Sequence, residues 1–303
     1  MRIRRRFRSA VTVTEFLAHR LLPAVDGNLT QARTELRWLR EHFNKTTKDQ
    51  SSWCRSTQLK SWIEDRVIRH KPLQYILGTQ PFGRLDILVH PPVLIPRWET
   101  EEWTLRLVNM LSKCIDEKRK DNFRVLDLCT GTGCIALTLA TNLRKEVCSV
   151  YGIDISEKAL ELARLNAQVS KVQNVEFAMV DLMQRDALPR LLSLTNNTPY
   201  DLIVSNPPYI TQEEYNNLSN SVKYWEDSGA LLAENGGMAF HERIAQVAPA
   251  LLSSSTTCDI PRVVLEVGGS HQKMVSKYLK YNGFSRVETW KDLAGRERAI
   301  IAY

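Results

Sequence analysis

Arg124-Val-Leu-Asp-Leu-Cys-Thr-Gly-Thr-Gly133 decides the fold class of this chain. The apolar run Arg124–Cys129 has the length of a buried strand, and the two glycines after it let the backbone approach a ligand closely. A helix opens directly behind them. Working outward, further apolar runs of strand length occur at Cys148–Ile155, Val175–Asp181, Tyr200–Ser205 and Arg262–Gly268. Helical stretches separate the earlier ones. Glu157–Val169, with Leu160, Ala163 and Ala167 on one face, is an example. Such alternation predicts an α/β fold, a doubly wound and mostly parallel sheet covered on both faces. The last two runs, Phe284–Trp290 and Arg298–Tyr303, are joined by a short connection containing Gly295, so they are expected to form an antiparallel hairpin at one end of the sheet.

The N-terminal part reads differently. Residues 14–71 are expected to form a small helical domain. Ala32, Leu36, Leu39 and Phe43 recur at helical spacing behind Thr30, a candidate N-cap, and Leu59, Trp62, Ile63 and Val67 mark a second helix. Asn44–Ser52 is a polar loop between them. The tryptophans Trp38, Trp53 and Trp62 are assigned to its core, a partner-docking face being the alternative. Across residues 72–98, Gly78, Pro81, Gly83, Pro91, Pro92 and Pro96 punctuate the short β-type runs Gln74–Leu77 and Leu85–Val89, which suggests a hairpin linker. The sheet domain then spans 99–303.

Composition narrows the function classes. The chain has 303 residues, 43% hydrophobic and 25% charged, and no apolar run approaches a membrane span. Its net charge is +7, but Arg2, Arg4, Arg5, Arg6 and Arg8 stand in the first 14 residues with no acid among them. Without these five, 36 basic face 34 acidic residues, which leaves +2. The basicity therefore belongs to a leader, residues 1–13, whose interleaved Phe7, Val11 and Val13 give it the character of a mitochondrial targeting segment. No basic face for nucleic acid is legible, and stable nucleic-acid binding is not expected. Cys54, Cys114, Cys129, Cys134, Cys148 and Cys258 form no CxxC pair and no metal-ligand spacing, so they are expected to be reduced, mostly buried thiols, with no metal site.

The chemistry-bearing residues fall at successive strand ends. Asp127 precedes the glycine turn. Asp154, 21 residues after Gly133, ends the second strand, where an acid grips ribose hydroxyls, and Asp181 ends the third, within reach of an adenine edge. The turn reads G-x-G-x-x-A with Ala136 third, so a nicotinamide dinucleotide is conceivable. Two features favour S-adenosylmethionine instead. Asp127 places negative charge where a sulfonium and an amino group can use it and a pyrophosphate cannot. The fourth strand also runs into Asn206-Pro207-Pro208-Tyr209, across the topological switch from the glycine turn. Two prolines stiffen that turn and leave carbonyls pointing outward beside one amide and one aromatic ring. Such a device grips a planar NH2 group, an amide nitrogen or an exocyclic amine.

The chain resembles the glutamine methyltransferases that modify peptide chain release factors, the HemK/PrmC family. The resemblance covers about Lys71 to Tyr303. It rests on Lys71-Pro-Leu-Gln-Tyr-Ile-Leu-Gly78, Leu94-Ile-Pro-Arg-Trp-Glu-Thr-Glu101, Asp127–Gly133, Asp154, Asn206–Tyr209, Gly237-Met238 and Gly295-Arg296-Glu297-Arg298. It implies a class I S-adenosylmethionine-dependent methyltransferase fold. Asp127, Cys129, Thr130, Gly131, Thr132 and Gly133 would line the cofactor turn, Asp154 would hold the ribose, and Asp181 and Leu182 would border the adenine. Glu99, near Arg97, would contact the methionine end, with Asn206 also at the cofactor. Asn206, Pro207, Pro208 and Tyr209 would bind the substrate glutamine, with Asn206, Pro207 and Tyr209 catalytic. The substrate would be the GGQ glutamine of a class I release factor, a mitochondrial one given the leader, with the helical domain docking it in the matrix. An adenine-N6 methyltransferase acting on a flipped base of DNA or RNA would use the same turn and is the alternative. Two positions depart from the family: Cys129 stands where glycine is usual, and Trp98 where proline is common.

Overall fold

The computed structural model describes residues 13–46, 52–118, 123–143, 148–254 and 260–303, so all but the last residue of the expected leader lies outside it. The described chain forms two compact units. The first takes in the helices Val13–Leu21, Leu29–Thr46, Ser52–Val67 and Leu73–Leu77, together with the later segment Asn220–Trp225. Ala32, Leu36 and Leu39 are buried as their spacing predicts, and pack with Leu17, Leu21 and Ile63. Inside this unit Glu35 accepts a hydrogen bond from Arg66 Nε at 2.9 Å, so its buried charge is paired. The Trp225 Nε1–H donates to the Arg69 carbonyl at 2.8 Å, and Lys71 Nζ lies 5.2 Å from the centre of that ring.

Three expectations are corrected in this unit. Asn28, not Thr30, caps the second helix: its Oδ1 accepts the Gln31 N–H at 3.0 Å, and Leu29 is already helical. Gln74–Leu77 is helical rather than extended. Tyr75 and Ile76 read as strand formers, but Leu73 and Ile76, three apart, bury together in the helical core, and Gly78 ends the turn at φ 77°. Trp38 is 43% exposed rather than core, whereas Trp62 packs against His42 and Phe43 at ring distances of 5.2 and 5.9 Å.

The second unit comprises Thr79–Ser219 and Glu226–Tyr303. It opens with an antiparallel hairpin, β1 (Thr79–Phe82) and β2 (Leu85–Leu88). The main sheet consists of β3 (Phe123–Leu128), β4 (Cys148–Asp154), β5 (Val175–Met179), β6 (Leu202–Ser205), β7 (Val263–Glu266), β8 (Val287–Lys291) and β9 (Glu297–Ala302). Their order is β5-β4-β3-β6-β7-β9-β8. The first five are parallel, and β9 pairs antiparallel with both β7 and β8, forming the expected terminal hairpin. β6 and β7 are buried at every position because helices cover both faces, which is why they read as unbroken apolar runs. Along β3, Val125 joins one core with Trp103, Leu107 and Ile135, while Leu126 and Leu128 join the other with Ile203 and Ile244. This is the two-layer cover of a doubly wound sheet. The cysteines depart from expectation at one point. Cys129, Cys134 and Cys148 are free, but Cys114 is disulfide-bonded.

The order of winding reverses between the parallel strands β3 and β6, so a crevice opens there at the carboxyl ends of the strands. The hairpin is tied to it by one side chain. Asn166, 1% exposed, accepts the Leu88 N–H at 2.7 Å and donates to the carbonyls of Leu88 at 3.1 Å and Thr132 at 3.0 Å. Asn166→Ala strands the Leu88 amide, and urea unfolding is expected to register a loss of about 1–3 kcal/mol. An unchanged midpoint would show that water replaces the clamp without cost.

Candidate active site

The site is built where β3 and β6 end side by side. Leu128 pairs with Ser205, whose Oγ–H donates to the Leu128 carbonyl at 2.7 Å. The glycine turn and the Asn206–Tyr209 turn therefore leave the sheet as neighbours. A cavity of about 320 Å³ lies above them. Cys129, Gly131, Asp154, Asp181, Leu182, Asn206 and Pro208 line it, which brings half of the predicted residues into one chamber, whereas Pro207 is absent from the lining.

Each acid is held differently. Asp154 accepts the Gly131 N–H through Oδ2 and the Ser156 N–H through Oδ1, both at 2.9 Å, so it shapes the glycine turn as well as the cavity wall. Burial raises its pKa. The Ser156, Gly131 and Ile155 amides oppose that rise, and the charge of Asp227 adds to it. Asp181 stands two residues beyond β5 and accepts the Met183 N–H at 2.9 Å and the Gln184 side-chain amide at 3.0 Å. Asp127 is fully buried beneath the turn. Its Oδ2 accepts the Thr130 hydroxyl at 2.6 Å, while Oδ1 lacks a hydrogen-bond donor. Burial pushes its pKa up to about 7. The Thr130 hydroxyl and the Ala136 backbone N–H, which falls short of a full hydrogen bond, pull the other way, and Asp154 pushes it further up.

The glycine turn shows why its sequence is constrained. Gly133 sits at φ 79°, and a Cβ there would stand 3.0 Å from the Phe177 ring. Cys129 sits at φ 59°, so the position does demand the left-handed conformation that cysteine adopts at a cost. Its thiol, desolvated and flanked by Asp154 and Asp127, is held well above its usual pKa and is not a thiolate nucleophile.

Other predicted residues lie outside the cavity. Thr130, Thr132 and Gly133 form the floor of the turn. Glu99 faces Arg298 at 3.8 Å and lines a separate cleft of about 50 Å³ beside Trp290. Tyr209 is set behind the cavity, with its ring 6.4 Å from His241 and 6.5 Å from His271. Gly237, at φ 84°, lies so close to the Tyr209 carbonyl that any Cβ would collide with it.

Val93, Leu94, Asp227, Gly229 and Phe240 also line the cavity, and none was assigned a role from sequence. Asp227 is placed by its N–H to the Pro92 carbonyl at 2.7 Å and by Arg97 Nη2, which donates to both carboxylate oxygens of the preceding Glu226 at 2.7 and 2.8 Å. The signal available was the acidic pair Glu226-Asp227 before a Ser-Gly turn, with an arginine in the linker to match it.

Asp154, Asp181 and Asp227 on the walls and Asp127 beneath suit a cationic ligand with a nucleoside end. The unsatisfied Asp127 Oδ1 suits an ammonium or sulfonium and would repel a pyrophosphate. S-adenosylmethionine fits these donors and charges.

Comparisons with known proteins agree. A protein-family model described as a methyltransferase domain matches residues 119–283. A release factor glutamine methyltransferase of Fusobacterium nucleatum is 37% identical over 81% of this chain, which spans 63% of that protein's length. The probable MRF1 mitochondrial N(5)-glutamine methyltransferase mtq1 of Schizosaccharomyces pombe is 34% identical, covering 77% of this chain and 75% of its own. Among solved structures, the N-terminal domain of human METTL16 superposes with a TM-score of 0.53 at 18% identity, over 80% of this chain and 82% of that one, a likeness of fold.

Asp127 has a measurable consequence. Below about pH 7 its neutral form carries no charge for a cationic cofactor. Calorimetric affinity for S-adenosylmethionine should rise roughly fivefold to tenfold between about pH 6 and 7.5, and stay flat in Asp127→Asn. In the free protein the sign is opposite. The unfolded chain ionises near 3.8 and the folded one near 7, so this group's contribution to stability falls as pH rises across that window. In addition, Cys129→Gly should raise the urea midpoint by an amount equivalent to about 1 kcal/mol, by relieving the left-handed strain.

Proposed function

The chain belongs to the release factor glutamine methyltransferase family, and we propose that it transfers a methyl group from S-adenosylmethionine to the side-chain amide nitrogen, N5, of the GGQ glutamine of a class I peptide chain release factor. The carrying observation is that Asn206 and Pro208 line the same chamber as Asp154 and Asp181, which supports a grip for a planar NH2 group opening onto an acidic nucleoside site. We further propose a mitochondrial release factor as substrate, in support of translation termination, with the matrix as the compartment. The arginine-rich leader and the likeness to the fission yeast mitochondrial protein support that reading.

Asp154 and Asp181 would hold the nucleoside, and Asp127 and the glycine turn the cationic end. When bound, S-adenosylmethionine supplies a methyl group activated by its positively charged sulfur. The protein's task is the nucleophile. An amide nitrogen is weak because its lone pair is delocalised, and no side chain of ordinary basicity deprotonates it. Asn206 Oδ1 and the Pro207 carbonyl would accept its two N–H groups, which fixes its line of approach and favours a more tetrahedral nitrogen. Alignment of this kind lowers a barrier by up to roughly 7–11 kcal/mol. The same carbonyl dipoles face the positive charge that grows on the nitrogen. Pro207 and Pro208 keep the turn rigid, so the acceptors need no reorganisation. After transfer the methylated nitrogen is cationic and strongly acidic, so it gives up one of its N–H protons to water. Tyr209, packed against His241, His271 and Gly237, sets the far end of the turn, and its ring would reach the amide plane only from behind the cavity wall.

Asn206→Ala should cut methyl transfer by about 10²–10³-fold, as removal of a preorganised polar contact does, while cofactor affinity stays within about threefold. The assay is labelled S-adenosylmethionine with a mitochondrial class I release factor, intact or with its GGQ motif changed to GGA. Label on the intact protein alone is expected. Equal label on both would overturn the glutamine assignment.

A further inference from the structure

Behind the Asn206–Tyr209 turn, at the end of β7, stands Glu266, 1% exposed and unused by the chemistry above. β7 pairs with β6 so that Leu265 lies opposite Ser205, which sets Glu266 beside Asn206 just past the strand ends. Its Oε2 accepts the Thr100 hydroxyl at 2.6 Å and the Trp103 Nε1–H at 2.8 Å, and its Oε1 lies 3.3 Å from the Tyr209 hydroxyl. Its backbone carbonyl accepts the His241 Nε2–H at 2.8 Å, so the strand end itself is pinned. Thr100 in turn lies 3.2 Å from Asn206 Nδ2. One buried carboxylate thus reaches both ends of the turn, through Thr100 to Asn206 and directly to Tyr209.

Counting protons gives this arrangement a direction. A threonine hydroxyl has one proton to donate, and a carboxylate only accepts. The Trp103 N–H can only donate, so Oε2 must be an acceptor. The short Thr100 contact marks the bond to it as charge-assisted. Thr100 Oγ1 has then spent its proton and faces Asn206 with a lone pair. Only the NH2 end of the Asn206 amide satisfies that lone pair. The reversed amide would set oxygen against oxygen with no proton between them.

We infer that Glu266, acting through Thr100, is a positioning residue that fixes which end of the Asn206 amide faces the cavity. Its carboxylate orders the Thr100 hydroxyl, the hydroxyl holds Asn206 Nδ2, and Oδ1 is left as the end presented to the substrate nitrogen. A free amide would present its NH2 half of the time and repel the N–H it has to accept. Thr100, far from the turn in sequence, thus acts at the turn as the relay. The inference rests on the reading of Asn206 as acceptor for the substrate amide, and it assigns the control of that acceptor to residues outside the cavity wall.

The test uses the full-length protein as wild type, Thr100→Val, Thr100→Ser and Thr100→Ala. Single-turnover methyl transfer to an intact release factor is expected to fall about 10-fold to 100-fold in Thr100→Val and in Thr100→Ala, the range for a misoriented reacting group. Thr100→Ser, which restores the hydroxyl, should stay within about threefold of wild type, and calorimetric affinity for S-adenosylmethionine should stay within about threefold throughout. Wild-type rates in the valine and alanine proteins, or a serine protein as slow as they are, would overturn the assignment. A second readout needs no substrate: hydrogen exchange of the ¹⁵N-labelled Asn206 side-chain amide. It should be slow in wild type and Thr100→Ser, and about tenfold faster in Thr100→Val. Equal exchange in all of them also overturns it. If wild-type protein places no methyl on glutamine, the proposed function fails, while the exchange data still decide whether Thr100 orients Asn206.

Discussion

The parallel pairing of β3 with β6 is the constraint on which the rest of the site depends. It is the point where the winding of the sheet reverses, so the loops that follow β3 and β6 lead away to opposite sides and leave a crevice between them. β3 delivers a flexible, glycine-bearing turn and β6 a stiff, proline-bearing one. The first needs freedom to wrap a ligand, and the second needs rigidity to hold an acceptor still. Ser205, bonded across to Leu128, stitches the two at the last step before they separate. Shift that register by one residue and Asp127 and Ser205 would face the wrong layers.

Electrostatically the site is expensive to build. Asp127, Asp154, Glu226 and Glu266 all have their pKa values raised by burial. Each is offset by a different device: a threonine hydroxyl, backbone amides, the Arg97 guanidinium, and the neutral donors Thr100 and Trp103 with the charge of Arg298 behind them. Only Asp127 keeps an oxygen without a donor. The oxygen that the fold leaves without a donor therefore lies beneath the glycine turn, and the other three acids are tied into the scaffold.

Much of this was legible in the sequence, for a physical reason. Strands buried on both faces must be apolar throughout, so β3, β4, β6 and β7 announced themselves to within a residue or two, and Asp154 followed from its place at a strand end. Gln74–Leu77 was misread because Tyr75 and Ile76 favour strands locally, whereas burial against the helical core decides their conformation. The wall formed by Asp227 and Gly229 was missed because it depends on Arg97 meeting Glu226, partners 129 residues apart. Glu266 was read only as part of an apolar run. Its role comes from neighbours that the sheet brings together and that no spacing reveals.

The clamp made by Asn166 couples segments usually treated separately. A single amide serves both the β2 edge and the Thr132 carbonyl within the glycine turn. Opening the hairpin therefore strips a partner from the turn, and loosening the turn strips one from the hairpin. The shared amide thereby couples the two in local unfolding. A ligand that stabilises the turn would therefore slow exchange at Leu88 by the share of its free energy that passes through the clamp, although Leu88 itself lies outside the cavity.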